Sequence, residues 1–143
     1  MPETLYEQDF YSWILYQADL LRQGRFEQLD LSHLVEELED LGNRHYDQLE
    51  SRLAILIGHL LTRKYRPEGQ GSSWRAMIRE QRRKIDRLLE KNPGLKSRWQ
   101  EAWEEAWLDS RDLAIRETGL DESIFPEMPC FDHQQVRDTH YWP

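Results

Sequence analysis

Cysteine is nearly absent from this chain of 143 residues, because Cys130 is the only one. A single thiol excludes an internal disulfide, so we expect a reduced, cytoplasmic setting and not a disulfide-rich secreted domain. Long apolar runs are missing as well. The longest strongly apolar stretch, residues 53–61, is less than half of the roughly 20 residues that a membrane helix needs. Residues 1–8 show no basic region followed by an apolar run, so we expect neither a signal peptide nor a membrane span.

Apolar side chains are fewer and charged ones more numerous than in an average globular protein, at 38% and 32% of the residues. This balance suits long helices with wide solvated faces. Six Trp, six Tyr and four Phe supply large core side chains, which argues against disorder. A chain of this length buries roughly 70% of its unfolded surface, so it needs no metal or disulfide to fold.

The sequence shows no strand signal, and its apolar residues recur with the 3.6-residue period of helices. Gly24 and Gly119 stand where helix C-termini are expected, and Asn92 with Pro93 ends one helix and opens the next. Helices are predicted over residues 5–23, 31–64, 73–91 and 93–118, followed by an irregular tail over 119–143. Short connections favour antiparallel neighbours. We therefore predict one all-α domain over residues 1–143, an up-down four-helix bundle with a packed C-terminal tail.

The second predicted helix is unusually long. Its apolar residues keep one phase from Leu31 to Leu60, although Gly42 and Asn43 in the middle are able to break a helix. Because the stripe does not change phase across this pair, we predict one continuous helix.

Several segments carry a family resemblance that covers nearly the whole chain. They are Leu5–Trp13 (LYEQDFYSW), Leu34–Gly42 (LVEELEDLG), Ser51–Pro67, Ser73–Arg83, Glu117–Leu120 with Phe125-Pro126, and the closing Trp142-Pro143. On these motifs the sequence resembles a family abundant in cyanobacteria, catalogued as domain of unknown function 29. The resemblance implies a stand-alone, small, helical bacterial protein. It implies no activity, so it assigns no functional residue.

Charge is unevenly distributed along the chain. Residues 62–91 hold ten Lys or Arg and four acidic residues, a net charge of +6. Residues 1–61 hold four basic and twelve acidic residues (net −8), and residues 92–143 hold five basic and eleven acidic residues (net −6). On the third predicted helix, one flank of the apolar stripe carries Arg75, Arg79, Arg82 and Arg83. Such a row can bind the phosphates of nucleic acid or another polyanion. It can also pair with acidic helices of the bundle or of a dimer, which the acidic net charge of the chain favours.

Three polar residues interrupt the apolar stripes. Gln17, His45 and Gln81 each lie near the middle of the apolar face of their helix. A buried amide or imidazole without a partner costs on the order of 1–3 kcal/mol, so each should be hydrogen-bonded. The pattern favours a structural network that fixes helix register. The alternative is a small-ligand pocket between the helices.

No metal or catalytic constellation is visible. The Glu-x-x-His spacing of bundle metal sites is missing, and His33, His45 and His59 are about 18 and 21 Å apart along one helix. Cys130 with His133 forms at best half of a zinc site. No motif supplies Cys130 with a base and an oxyanion site. The sequence therefore predicts no metal, no cofactor and no catalytic residue.

An aromatic ladder marks the fourth predicted helix. Trp99, Trp103 and Trp107 follow one another at four-residue spacing, which is typical of a core stripe. Trp107 lies at the edge of that stripe. If it is exposed together with Tyr141 and Trp142, the three form a surface for a protein partner.

These patterns favour a non-enzymatic interaction or regulatory module that acts by docking a protein partner or by self-association. One alternative is binding of nucleic acid or another polyanion through the arginine row. The other is a small-molecule or metal-binding bundle with a polar interior site.

Overall fold

The computed structural model describes residues 4–68 and 71–143, and throughout these residues it contains helices and no strand. The all-α prediction is therefore confirmed. The α-helices are α1 (Leu5–Gln8), α2 (Phe10–Arg22), α3 (Leu31–Tyr65), α4 (Ser72–Lys91), α5 (Trp99–Thr118) and α6 (His133–Arg137). Three short 3-10 helices cover Phe26–Gln28, Pro93–Arg98 and Glu122–Ile124. No helix within the described residues is both long and apolar enough to cross a membrane.

Two predicted helices differ from the observed ones at their N-terminal ends. The first is divided at Asp9, whose side chain accepts a hydrogen bond from the backbone N–H of Ser12 and thereby caps α2. The helix predicted to start at Pro93 begins with a 3-10 segment and becomes α-helical at Trp99. In contrast, α3 is continuous through Gly42 and Asn43, as its constant phase predicts.

The chain divides into two compact units, residues 1–43 and 44–143. The N-terminal unit contains α1, α2 and the first part of α3. Gly24, with a positive φ of 73°, ends α2 and lets the chain turn back. The contacts of α2 run opposite to the direction of α3, since Gln17 accepts a hydrogen bond from Asp30, just before α3, while the ring of the earlier Trp13 lies 6.3 Å from that of the later His33. The two helices thus form an antiparallel hairpin.

The C-terminal unit has its core between the second part of α3, α4, α5 and the tail. Residues 53–61 are buried almost throughout, as their uniformly apolar composition predicts. Gly58 allows a close approach of α3 and α5 there, because a Cβ atom at this position would lie 2.6 Å from Cδ2 of Leu113, whose side chain would have to shift. The tail contributes the buried side chains Phe125, Phe131 and Val136 to the same core.

Candidate functional site

The predicted arginine row does not stay together on the surface. Arg75, Arg79 and Arg83 are exposed, but Arg82 is only 1% exposed. Its guanidinium donates hydrogen bonds to the backbone carbonyl oxygens of Gln135, Val136 and Tyr141 at 2.9–3.3 Å. Burial lowers the pKa of Arg82 from its ordinary value. The row as predicted is therefore wrong in one member, because Arg82 fastens the tail and is not accessible to an external anion.

The three interior polar residues have different surroundings. Gln17 is buried, and its side-chain oxygen accepts a hydrogen bond from the backbone N–H of Asp30 at 2.9 Å. Gln81 is half-buried and accepts a hydrogen bond from Nη1 of Arg52 at 3.3 Å. His45 is exposed, so its predicted interior position is wrong. The stripe of α3 at His45 belongs to the part of the helix where the apolar face is not covered.

The predicted aromatic partner surface is also corrected. Trp107 is 2% exposed, and its indole N–H donates to the carbonyl oxygen of Glu127. It therefore belongs to the core. Tyr141 and Trp142 are half-buried, and the guanidinium of Arg82 lies 5.3 Å from the centre of the Trp142 ring. These aromatic residues take part in packing the tail against α4 and α5, and they do not form an open patch.

The residues considered for metal binding or catalysis lie in separate surroundings. Within residues 4–68 and 71–143, no three His, Cys, Asp or Glu side chains are close enough to hold a metal ion. Nδ1 of His133 accepts a hydrogen bond from the indole N–H of Trp99, since that indole is solely a donor. Burial raises the pKa of the Cys130 thiol, which disfavours the nucleophilic thiolate. Burial lowers the pKa of His59, which favours its neutral form.

An acidic pair lies between α3 and α5. Burial, a hydrogen bond with Asp109, and the nearby charges of Glu105 and Asp47 raise the pKa of Glu50 to about 8. Its Oε1 is buried and has no hydrogen-bond partner among the described residues. Folding thus favours the protonated form of this carboxyl, which makes the stability of the protein depend on pH.

A different feature of the N-terminal unit was not anticipated from the sequence. Among the described residues 4–43, only Trp13, Gln17 and Leu20 are buried. A segment of about 40 residues rarely supplies a sufficient core by itself. The unit consequently leaves many large apolar side chains exposed to solvent.

On α2, the exposed apolar residues form a row beside the buried one. With a rotation of 100° per residue, the strip of helix surface next to the buried Trp13 and Leu20 is also apolar. It consists of Phe10, Ile14 and Leu21, which are 41–48% exposed. Half of each of these side chains is therefore available for a contact.

The first part of α3 carries a second exposed row. This row continues the phase of the buried Leu49, Leu53 and Leu56 further along the same helix. It consists of Leu31, Val35, Leu38 and Leu41, which are 48–65% exposed. The same stripe is core in one part of α3 and surface in the other, a distinction that its periodicity alone does not reveal.

Helical geometry places both exposed rows on the same side of the hairpin. Viewed along the chain direction of each helix, the exposed row is reached by rotating in the same direction from the side that packs against the other helix. Because the two helices are antiparallel, these two rows then lie on the same side of the pair. We refer to these seven residues, Phe10, Ile14, Leu21, Leu31, Val35, Leu38 and Leu41, as the hairpin face.

Polar contacts fix the hairpin behind this face. The Tyr6 hydroxyl donates a hydrogen bond to Glu37, which raises the pKa of Tyr6 to about 12. The Tyr6 ring stacks on His33 with 3.8 Å between the ring centres. His33 and Trp13 both contact the carboxylate of Asp30, and the His33 contact lowers the pKa of that carboxyl group. The two exposed rows are thus held at a defined spacing.

A family model described as "Domain of unknown function DUF29" matches residues 5–142, and the chain therefore belongs to this family. Comparison with curated proteins and with solved structures gives no match. The family carries no assigned activity, so the geometry of the two units is the basis for any functional assignment.

Proposed function

We propose that this protein is a helical interaction module that self-associates through the hairpin face, with a second copy of the same chain as the partner. The observation that carries the proposal is the presence of seven half-exposed apolar side chains on one side of an antiparallel helix pair. No catalytic residue, metal or cofactor is part of the proposal.

The size of the hairpin face supports self-association. A large apolar side chain presents on the order of 150–200 Å² when it is fully exposed. With each of the seven residues roughly half exposed, the face offers about 600 Å², which is at the upper end of the largest apolar patches on typical monomers, and such patches are often functional. Two copies would bury about 1,200 Å² in total, which is within the range of specific protein interfaces.

The shape of the hairpin face supports a two-fold arrangement. Two antiparallel helices with a common apolar side are half of a four-helix bundle. The row from Leu31 to Leu41 is about 15 Å long and the row from Phe10 to Leu21 is about 17 Å long, so the two rows match in extent. A two-fold axis over the face brings in an identical hairpin, and each row then packs against its counterpart's rows in an isologous contact.

The distribution of acidic residues is compatible with this pairing. Residues 1–43 hold ten acids and two bases, a net charge of −8. On α3, Glu36 and Asp40 point away from the centre of the exposed row by more than 140°, whereas Glu37 and Glu39 border it on opposite sides, and Glu37 accepts a hydrogen bond from Tyr6. Most of the repulsion between two hairpins therefore acts between charges that are not in direct contact. Salt at near-physiological concentration screens such repulsion beyond about 8–10 Å. Added salt should strengthen the association.

Two further expectations belong to this proposal. We place α2 to α5 in up-down order, which is supported by the antiparallel contacts of α2 with α3 in one unit. In the other unit, α3 and α4 are also antiparallel. Arg52 on α3 contacts Gln81 on α4, whereas His59, which comes later on α3, accepts a hydrogen bond at its carbonyl oxygen from Trp74, which comes earlier on α4. We also place the protein in a reducing compartment such as the cytoplasm, supported by its single, unpaired Cys130.

Sedimentation velocity over a range of protein and salt concentrations tests the proposal. We expect a monomer–dimer equilibrium whose dissociation constant falls as NaCl is raised from low to physiological ionic strength. Docking of a basic heterologous partner would instead weaken with salt. A wild-type chain that remains monomeric at all protein and salt concentrations would refute self-association.

A further inference from the structure

A second surface, in the C-terminal unit, concentrates positive charge. α3 and α4 border a shallow, open pocket of about 270 Å³, which we call the cationic pocket. Its charged lining consists of Arg52 from α3 and Lys84, Arg87 and Lys91 from α4. None of the described residues that line it is acidic, although the chain as a whole carries a net charge of −8. This local excess of cations distinguishes the pocket from the rest of the protein.

Helical spacing explains how these side chains converge. On α4, Lys84, Arg87 and Lys91 follow one another at i, i+3 and i+7, so they lie on one face over about 10 Å. On α3, Arg52 shares its face at the same spacing with two polar lining residues, His45 and Gln48. Two complementary polar faces therefore border one pocket.

The guanidinium of Arg52 is positioned in advance. Its Nη1 donates a hydrogen bond to Oε1 of Gln81 at 3.3 Å, and the side chain is half-buried. Gln81 thus orients the Arg52 guanidinium, a role that its position on α4 does not reveal in the sequence. A guanidinium held in this way loses little conformational freedom when it binds a ligand.

The charges of the pocket are only partly neutralised by the protein. Lys84 forms an ion pair with Glu80 at 2.7 Å, and the charge of Arg52 also helps to lower the pKa of the Glu80 carboxyl. Within residues 4–68 and 71–143, no carboxylate lies within ion-pair distance of Arg52, Arg87 or Lys91. The C-terminal dipole of α4 favours cations in its last turn, which accounts for Lys91 and Arg87 individually. It does not account for Arg52, which converges on them from another helix.

We propose that the cationic pocket binds a small phosphoryl anion with at least two negative charges, such as pyrophosphate or the phosphate group of a small metabolite. Guanidinium groups bind phosphate oxygens in a bidentate manner, and an ammonium adds a point charge. The pocket is smaller than typical sites for larger organic ligands. No Trp, Tyr or Phe side chain is among its described lining residues, so it lacks the large aromatic platforms on which single-stranded nucleic acid stacks.

Calorimetric titration with pyrophosphate at low salt tests this assignment. The double variant Arg52→Gln/Arg87→Gln removes two pocket cations. The matched control Arg79→Gln/Arg83→Gln removes the same charge from exposed positions outside the pocket lining. We expect the pocket variant to weaken pyrophosphate binding by about tenfold or more, and the control to change it by less than about twofold.

Three outcomes would overturn the assignment. They are no binding by the wild type at millimolar pyrophosphate, equal weakening in both double variants, and a single-stranded oligonucleotide that binds more tightly than pyrophosphate and displaces it. The last outcome would assign the surface to a nucleic-acid backbone. If the double variant unfolds, Arg87→Gln alone keeps the test valid, because Arg87 is exposed and has no ion pair among the described residues. Sedimentation of the same samples reports the hairpin contact separately.

Discussion

Replacement of Leu38 by alanine removes the most exposed side chain of the hairpin face, at 65% exposure. Full burial of a leucine side chain contributes about 1.5–3 kcal/mol, so covering the exposed two thirds of Leu38 contributes about 1–2 kcal/mol. A two-fold dimer contains the substitution twice, which brings the loss to about 2–4 kcal/mol. Since 1.4 kcal/mol corresponds to a factor of ten, the dissociation constant of the dimer should rise about 30- to 1,000-fold.

Leu108→Ala provides a matched control for this prediction. Leu108 is 64% exposed, nearly the same as Leu38, but it lies on α5 in the C-terminal unit. The two variants therefore lose the same exposed side chain from different surfaces. Sedimentation equilibrium should show the weakened dimer in Leu38→Ala only, with both variants unfolding at urea concentrations close to that of the monomeric wild type. Equal dissociation constants for the two variants would show that the hairpin face does not form the contact.

Two further predictions concern the C-terminal unit. Arg82→Met leaves the carbonyl groups that it binds without a donor, so we expect a loss of about 2–5 kcal/mol in the free energy of unfolding. Limited proteolysis should then cleave the tail near Tyr141, and wild-type resistance there would contradict its role as a fastener. For Glu50, the folded-state pKa of about 8 lies above the unfolded value near 4.5, so the folded state binds more protons between these values and stability falls as pH rises through that window. Glu50→Gln should remove this loss, with urea denaturation showing that the variant gains about 2–4 kcal/mol over wild type on going from pH 5 to pH 8. A gain that does not change with pH would count against a protonated Glu50.

Periodicity and end signals determined the helices of this protein. The 3.6-residue spacing, Gly24, Gly119 and the Asn92-Pro93 pair are local features, and a helix depends mainly on residues within a few positions of one another. The continuity of α3 through Gly42 followed from the same spacing. The division of the first predicted helix at Asp9 did not, because an Asp is equally suited to cap a helix or to lie on its surface.

The roles of the polar residues depended on tertiary contacts. Arg82 lies on α4 among four other arginines, and its burial depends on carbonyl groups about 55 residues further along the chain. Gln81 was recognised as an unusual polar position, but its partner Arg52 lies on another helix. The cationic pocket was missed for the same reason, since its cations come from two helices and only one of them has a basic sequence.

The sequence by itself determined that this chain is helical, where its long helices run, and which stripe of each helix is apolar, because all three depend on short-range spacing. The tertiary structure alone decided which part of each stripe is covered. The stripe of α3 is uniform from Leu31 to Leu60, yet only the part packed against α4, α5 and the tail is buried. Whether an apolar side chain is core or contact surface depends on the partners that reach it, and long-range packing provides those partners.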